Sequence, residues 1–118
     1  MFGLPEGLDL SFLVGVTLEQ VSFGPHQLVL RFGNKVSLSV ETEVRIASPS
    51  QDALYFDIAS TAAAVVALIS AEVTDVSYTT DGTLTLEFSS VMTVVTIYDS
   101  SKEYESYQLY DGDTVYVV

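Results

Sequence analysis

Residues 13–32, LVGVTLEQVSFGPHQLVLRF, lie over residues 68–88, LISAEVTDVSYTTDGTLTLEF, with one residue of difference in length. Val21-Ser22-Phe23 matches Val76-Ser77-Tyr78, and Leu28, Leu30 and Phe32 match Leu84, Leu86 and Phe88. Beyond each copy a further strand-like stretch follows, KVSLSVE at 35–41 and MTVVTIYD at 92–99. The chain is therefore read as two similar halves, about 8–46 and 60–118, within one domain of 118 residues. Two copies are too few for a solenoid. They predict duplicated antiparallel β-meanders that cover each other's apolar sides.

Alternation gives the strands. Leu28, Leu30 and Phe32 point one way and Val29 and Arg31 the other; Val36, Leu38 and Val40 alternate with Ser37, Ser39 and Glu41. Gly24-Pro25 and Asp81-Gly82 supply turns, because Asp-Gly tolerates the positive φ that tight hairpins require. Between the halves, ASPSQD at 47–52 reads as a loop, and STAAAVVALISA as one helix near 60–70 capped by Ser60. The expected fold is mainly β with one helix, about eight strands in a sandwich or partly closed barrel.

Residues 98–118, YDSSKEYESYQLYDGDTVYVV, read as a closing hairpin. Tyr104, Ser106, Gln108 and Tyr110 share one face of its first strand, and Glu105, Tyr107 and Leu109 the other, with Asp111-Gly112 as the turn. The last strand, ending in VYVV, is an edge that invites pairing, and a homodimer that covers it or the apolar helix is expected.

Charge narrows the function. The net charge is −12; residues 1–50 carry five acids and three bases, residues 51–118 eleven and one. Four scattered bases, Arg31, Lys35, Arg45 and Lys102, do not suit a phosphate backbone, so nucleic acid is not an expected partner. The start of the chain lacks a basic segment, and the longest apolar run, 61–71, is about half a membrane span. The expectation is a cytoplasmic protein without a membrane contact.

Little in the residues points to catalysis or cofactors. Cys is absent and His26 is alone in a turn, so neither a zinc site nor a Ser-His-acid arrangement can be assembled. Seven scattered glycines make no phosphate loop. Glu103 with Glu105, and Asp111 with Asp113, are close enough for paired-carboxylate chemistry, but turn aspartates serve first as backbone caps. DGDT at 111–114 offers oxygen ligands for calcium without the remaining spacing of a binding loop.

What is left is an aromatic and acidic band: Tyr98, Asp99, Glu103, Tyr104, Glu105, Tyr107 and Tyr110, with Tyr116 beside it. Tyrosine buries a large body and keeps a polar tip, and acids around it favour a basic protein partner. The plainer alternative divides these rings between core and solvated strand faces, with the surplus charge serving solubility.

LDLSFLVGVTLEQVSFG at 8–24, with YESYQL at 104–109, resembles a family of small bacterial proteins of unknown function. The resemblance spans nearly the whole chain and is weakest across 42–60. The turn after LEF departs from it, since SSVM at 89–92 stands where Asn-Gly or Asp-Gly is usual, which predicts a longer loop or bulge. The resemblance implies no chemistry; it is similar to genes of toxin neighbourhoods, which implies an immunity-like role by analogy. The sequence thus yields a non-enzymatic, cofactor-free protein-binding module presenting an acidic tyrosine face. Its alternatives are a homo-oligomeric structural domain without a ligand and a carboxylate-based enzyme.

Overall fold

A computed structural model of the protein describes residues 7, 9–24, 27–41, 44–48, 51–55, 64–88, 93–98, 107–112 and 114–117. Period-two alternation sorts side chains between core and surface. Leu28, Leu30 and Phe32 are buried and Arg31 is exposed; Leu84, Leu86 and Phe88 are buried and Glu87 is exposed. Ten strands are present among the described residues: β1 Leu18–Phe23, β2 Leu28–Phe32, β3 Val36–Val40, β4 Val44–Ser48, β5 Gln51–Tyr55, β6 Val73–Tyr78, β7 Leu84–Phe88, β8 Thr93–Ile97, β9 Tyr107–Asp111 and β10 Thr114–Val117.

They form two five-stranded antiparallel sheets, ordered β1-β2-β3-β9-β10 and β5-β4-β8-β7-β6. Each half builds a three-stranded meander and then sends its closing hairpin to the other sheet. β9 and β10 extend the first meander from β3, and β4 and β5 extend the second from β8. The registers match: Val40 faces Tyr107 and Leu38 faces Leu109, as Ile97 faces Val44 and Val95 faces Ile46. Both meanders also carry a bulge at the same place, between Leu18 and Gln20 and between Val73 and Asp75.

The halves meet where β1 and β6 begin. Thr17 and Glu72 form an isolated antiparallel bridge. The Gly15 N–H donates to the Val73 carbonyl (2.7 Å) and the Ser70 N–H to the Leu18 carbonyl (2.7 Å); Leu18 donates to Ala71 and Val73 to Val16, both at 2.9 Å. Leu13, Leu18, Leu38, Val65, Val73, Leu84, Leu86, Ile97 and Leu109 are fully buried in one cluster between the sheets. Burying each such side chain contributes about 1.5–3 kcal/mol. The arrangement is a sandwich and not a closed barrel, since each sheet keeps two edge strands.

Two local expectations are corrected. ASPSQD at 47–52 is not a loop: Ala47 and Ser48 end β4, Gln51 and Asp52 begin β5, and Ala47 faces Asp52 across the hairpin. That segment has little strand propensity of its own, and its pairing with β8 decides it. The helix expected near 60–70 is helical only at residues 64–66 among those described, with turn from 67 to 70; Ser60 lies outside them. The Ser70 N–H donates to Leu18 and the Ala71 carbonyl accepts from Leu18, so the chain leaves the helix there, Ser70 at φ +80. Val65 and Leu68 are buried, whereas Val66 and Ile69 are 49% and 40% exposed.

The β2–β3 connection is a tight turn closed by the Val36 N–H on the Gly33 carbonyl (3.3 Å), with both central residues, Asn34 and Lys35, at positive φ (60 and 61). Its geometry matches the right-handed twist of the flanking strands, which sets their register. Among the described residues no helix is long and apolar enough to cross a membrane.

Candidate functional site

The tyrosines expected to form one band are divided. Tyr107 is 1% exposed, and its hydroxyl donates to the Gly82 carbonyl at 2.7 Å, tying β9 of one sheet to the β6–β7 turn of the other. It is a core residue. Tyr98 is half-buried just beyond β8, in the second sheet, whereas Tyr110 is half-buried on β9, in the first. The Tyr110 hydroxyl donates to Gln108 Oε1. Tyr116 stacks on Phe12 with ring centroids 6.0 Å apart, holding β10 against the turn at Ser11–Leu13. Asp99, Glu103, Tyr104 and Glu105 lie outside the described residues, as do His26 and Asp113. Asp111 belongs to β9, facing Val36 and Thr114, and does not form the turn itself.

Among the described residues two carboxylates are perturbed, and both are caps. Asp81 is held below the ordinary carboxylate range by the Thr79 hydroxyl and then by the Thr83 N–H, which donates to Oδ1 at 3.0 Å. Asp9 is lowered by the Ser11 N–H at 2.9 Å. Hydrogen bonds of this kind favour the ionised form, the opposite of what a general acid at neutral pH requires. Among the described residues no group of three or more His, Asp or Glu is placed to hold a metal ion.

The outward faces of the two sheets differ in charge at corresponding positions. On the first sheet one cross-strand row runs Gln20, Arg31, Ser37, Tyr110, Val115, and the next Ser22, Val29, Ser39, Gln108. Neither row contains an acid. The corresponding rows of the second sheet are Asp75, Glu87, Val94, Ala47 and Ser77, Thr85, Thr96, Arg45. There Asp75 and Glu87 stand directly opposite, a like-charge pair that costs stability.

Arg31 lies at the edge of a groove of about 280 Å³ lined by Ser22, Phe23, Gly24, Gln27, Val29 and Arg31. Its Nη1 donates to Ser22 Oγ at 2.9 Å, and Gln20 Nε2 donates to the same oxygen at 3.4 Å. Gln27 Nε2 donates to Ser39 Oγ at 2.6 Å, which accounts for a serine buried on an outward face. Among the described residues no carboxylate pairs with Arg31. Phe23, at the lip, is 63% exposed. The sequence did carry a signal for this region: from Gln20 through Asn34 Arg31 is the one residue among Asp, Glu, Lys and Arg.

No curated protein and no solved structure matches the chain. The model of the Family of unknown function (DUF6188) matches residues 10–118, and with the fold and the groove in place the chain is assigned to that family, to which it belongs.

Proposed function

We propose that the protein is a non-enzymatic binding module that engages another protein through the outward face of its first sheet. One observation carries the proposal: in a chain with sixteen acids, both described cross-strand rows of that face are free of them. Protein interfaces are depleted of Asp, Glu and Lys and enriched in Tyr and Arg, and this face offers Arg31 and Tyr110 among Val, Ser and Gln. The surplus of carboxylates in the chain as a whole serves solubility. The partner meets Arg31 with a carboxylate and Tyr110 with apolar surface. This moves recognition away from an acidic tyrosine band facing a basic partner, because Tyr107 is core and Tyr98 and Tyr110 sit on different sheets.

The test is site-specific photo-crosslinking in the cells that make the protein. A benzophenone side chain at Tyr110 should trap one discrete protein, and the same group at Thr85 on the second sheet should not. Arg31→Glu should remove the adduct. Equal labelling from both positions, or none from Tyr110, rejects the proposal.

A further inference from the structure

Strand β1 is an edge of the first sheet and β6 an edge of the second. The hairpin bond from the Gly24 N–H to the Gln27 carbonyl fixes the ladder phase of β1. Ser22 and Gln20 bond toward β2, so the N–H and C=O groups of Val21 and Phe23 point away from the sheet. The bond from Thr79 to the Thr83 carbonyl fixes β6 in the same phase, with Val76 pointing outward. Here the edges differ. Asp75 Oδ1 accepts the Val76 N–H at 3.0 Å, closing that edge with a charged side chain. The matching residue on β1 is Gln20, whose amide turns instead to Ser22, and the Val21 N–H has no such cap among the described residues.

We infer that the open edge of β1, at Val21–Phe23, accepts an extended segment of a partner protein as a sixth strand, a largely uncharged segment carrying one carboxylate for Arg31. The inference rests on the proposed binding role of the first sheet and names the mode of attachment. Main-chain bonds to Val21 and Phe23 supply affinity, and the groove between Phe23 and Arg31 receives a side chain of the added strand. The charge of −12 repels a strongly acidic segment, whereas Arg31, unpaired with any described carboxylate, selects a single acid at one position. A second copy of the chain brings another −12 to the same edge and is the disfavoured occupant.

The probes are two blocked synthetic heptapeptides, Thr-Val-Thr-Glu-Thr-Val-Thr and its counterpart with Lys at the centre, titrated into the isotope-labelled full chain. With the Glu peptide, the amides of Val21 and Phe23 should shift and gain protection from hydrogen exchange. The Lys peptide should bind at least tenfold more weakly, and Arg31→Gln should erase that difference. Gln20→Asp, which copies the Asp75 arrangement of β6, should weaken the Glu peptide tenfold or more without altering the rest of the spectrum. Equal affinity for both peptides, or unchanged Val21 and Phe23 amides, overturns the inference. So does protection of those amides that grows with protein concentration alone, which makes a second copy the occupant. Shifts confined to Ser37, Tyr110 and Val115 reject the edge while leaving the sheet face as a binding surface.

Discussion

Gly15 and Ser70 occupy the same place in the two halves, each one donating to the first residue of the other half's leading strand, and both have positive φ, +90 and +80. Glycine adopts that conformation freely, whereas a residue with a Cβ is strained by about 1–2 kcal/mol. The junction is thus relaxed on one side and strained on the other. Ser70→Gly should raise stability by about 0.5–1 kcal/mol after the greater entropy of the unfolded glycine chain is counted. Gly15→Ala should lower it by about 1–2 kcal/mol through conformation alone, because a Cβ there would meet nothing nearer than Glu72 Oε1 at 3.9 Å. Urea unfolding of both variants measures this, and equal midpoints would contradict it.

Tyr107→Phe should cost about 1–3 kcal/mol, the penalty for leaving a buried carbonyl without its donor. The ring itself is retained, so the loss reports the hydroxyl bond to Gly82 that links the two sheets. A change under a few tenths of a kcal/mol would show that water replaces the hydroxyl.

Lys35 stands at the second central position of the β2–β3 turn, where φ is +61. Asn-Gly is the preferred pair for such a turn, and Lys35→Gly completes it. The expected gain is about 0.5–1 kcal/mol in thermal or chemical unfolding. A loss would mean that the lysine side chain contributes more than its backbone strain costs.

Acid should destabilise the β6–β7 turn. The Asp81 carboxyl titrates lower in the folded chain than its ordinary 3.8, chiefly through the Thr79 hydroxyl. Its ionised form therefore stabilises the fold at all pH values above the unfolded value, and that contribution is lost as pH falls below 3.8 and through the folded value. Asp81→Asn should flatten the fall in melting temperature between pH 5 and pH 2, about the span of an ordinary carboxylate titration. Identical pH profiles would assign acid sensitivity to other groups.

Opening the β6 edge should make the molecule associate. Asp75→Val removes the cap on Val76 and the repulsion with Glu87 together. Sedimentation should show concentration-dependent oligomers for the variant at concentrations where the parent chain shows none, and identical profiles would mean that Asp75 is not what guards this edge.

Much of the architecture was legible in the residues. Alternation alone placed Leu28, Leu30 and Phe32, and separated Tyr107 and Leu109 from Gln108 and Tyr110. Parity does not say which side is inside, and only the structure places Tyr107 in the core. Ala47 and Ser48 have no strand signature, so only their pairing places them in β4, and alanine propensity does not mark where the chain turns at Ser70.

What the amino-acid sequence determined by itself is the repeated meander, the positions of its strands, and the excess of negative charge, since each depends on neighbours two to four residues apart. Only the tertiary structure decided that each closing hairpin joins the opposite sheet, that one outward face is free of acid in both described rows, and that Asp75 caps the Val76 N–H of β6 whereas the Val21 N–H of β1 has no such cap among the described residues. Those outcomes depend on pairing between segments far apart in the chain, where main-chain hydrogen bonding is the same for every residue type and only the buried side chains select the partner.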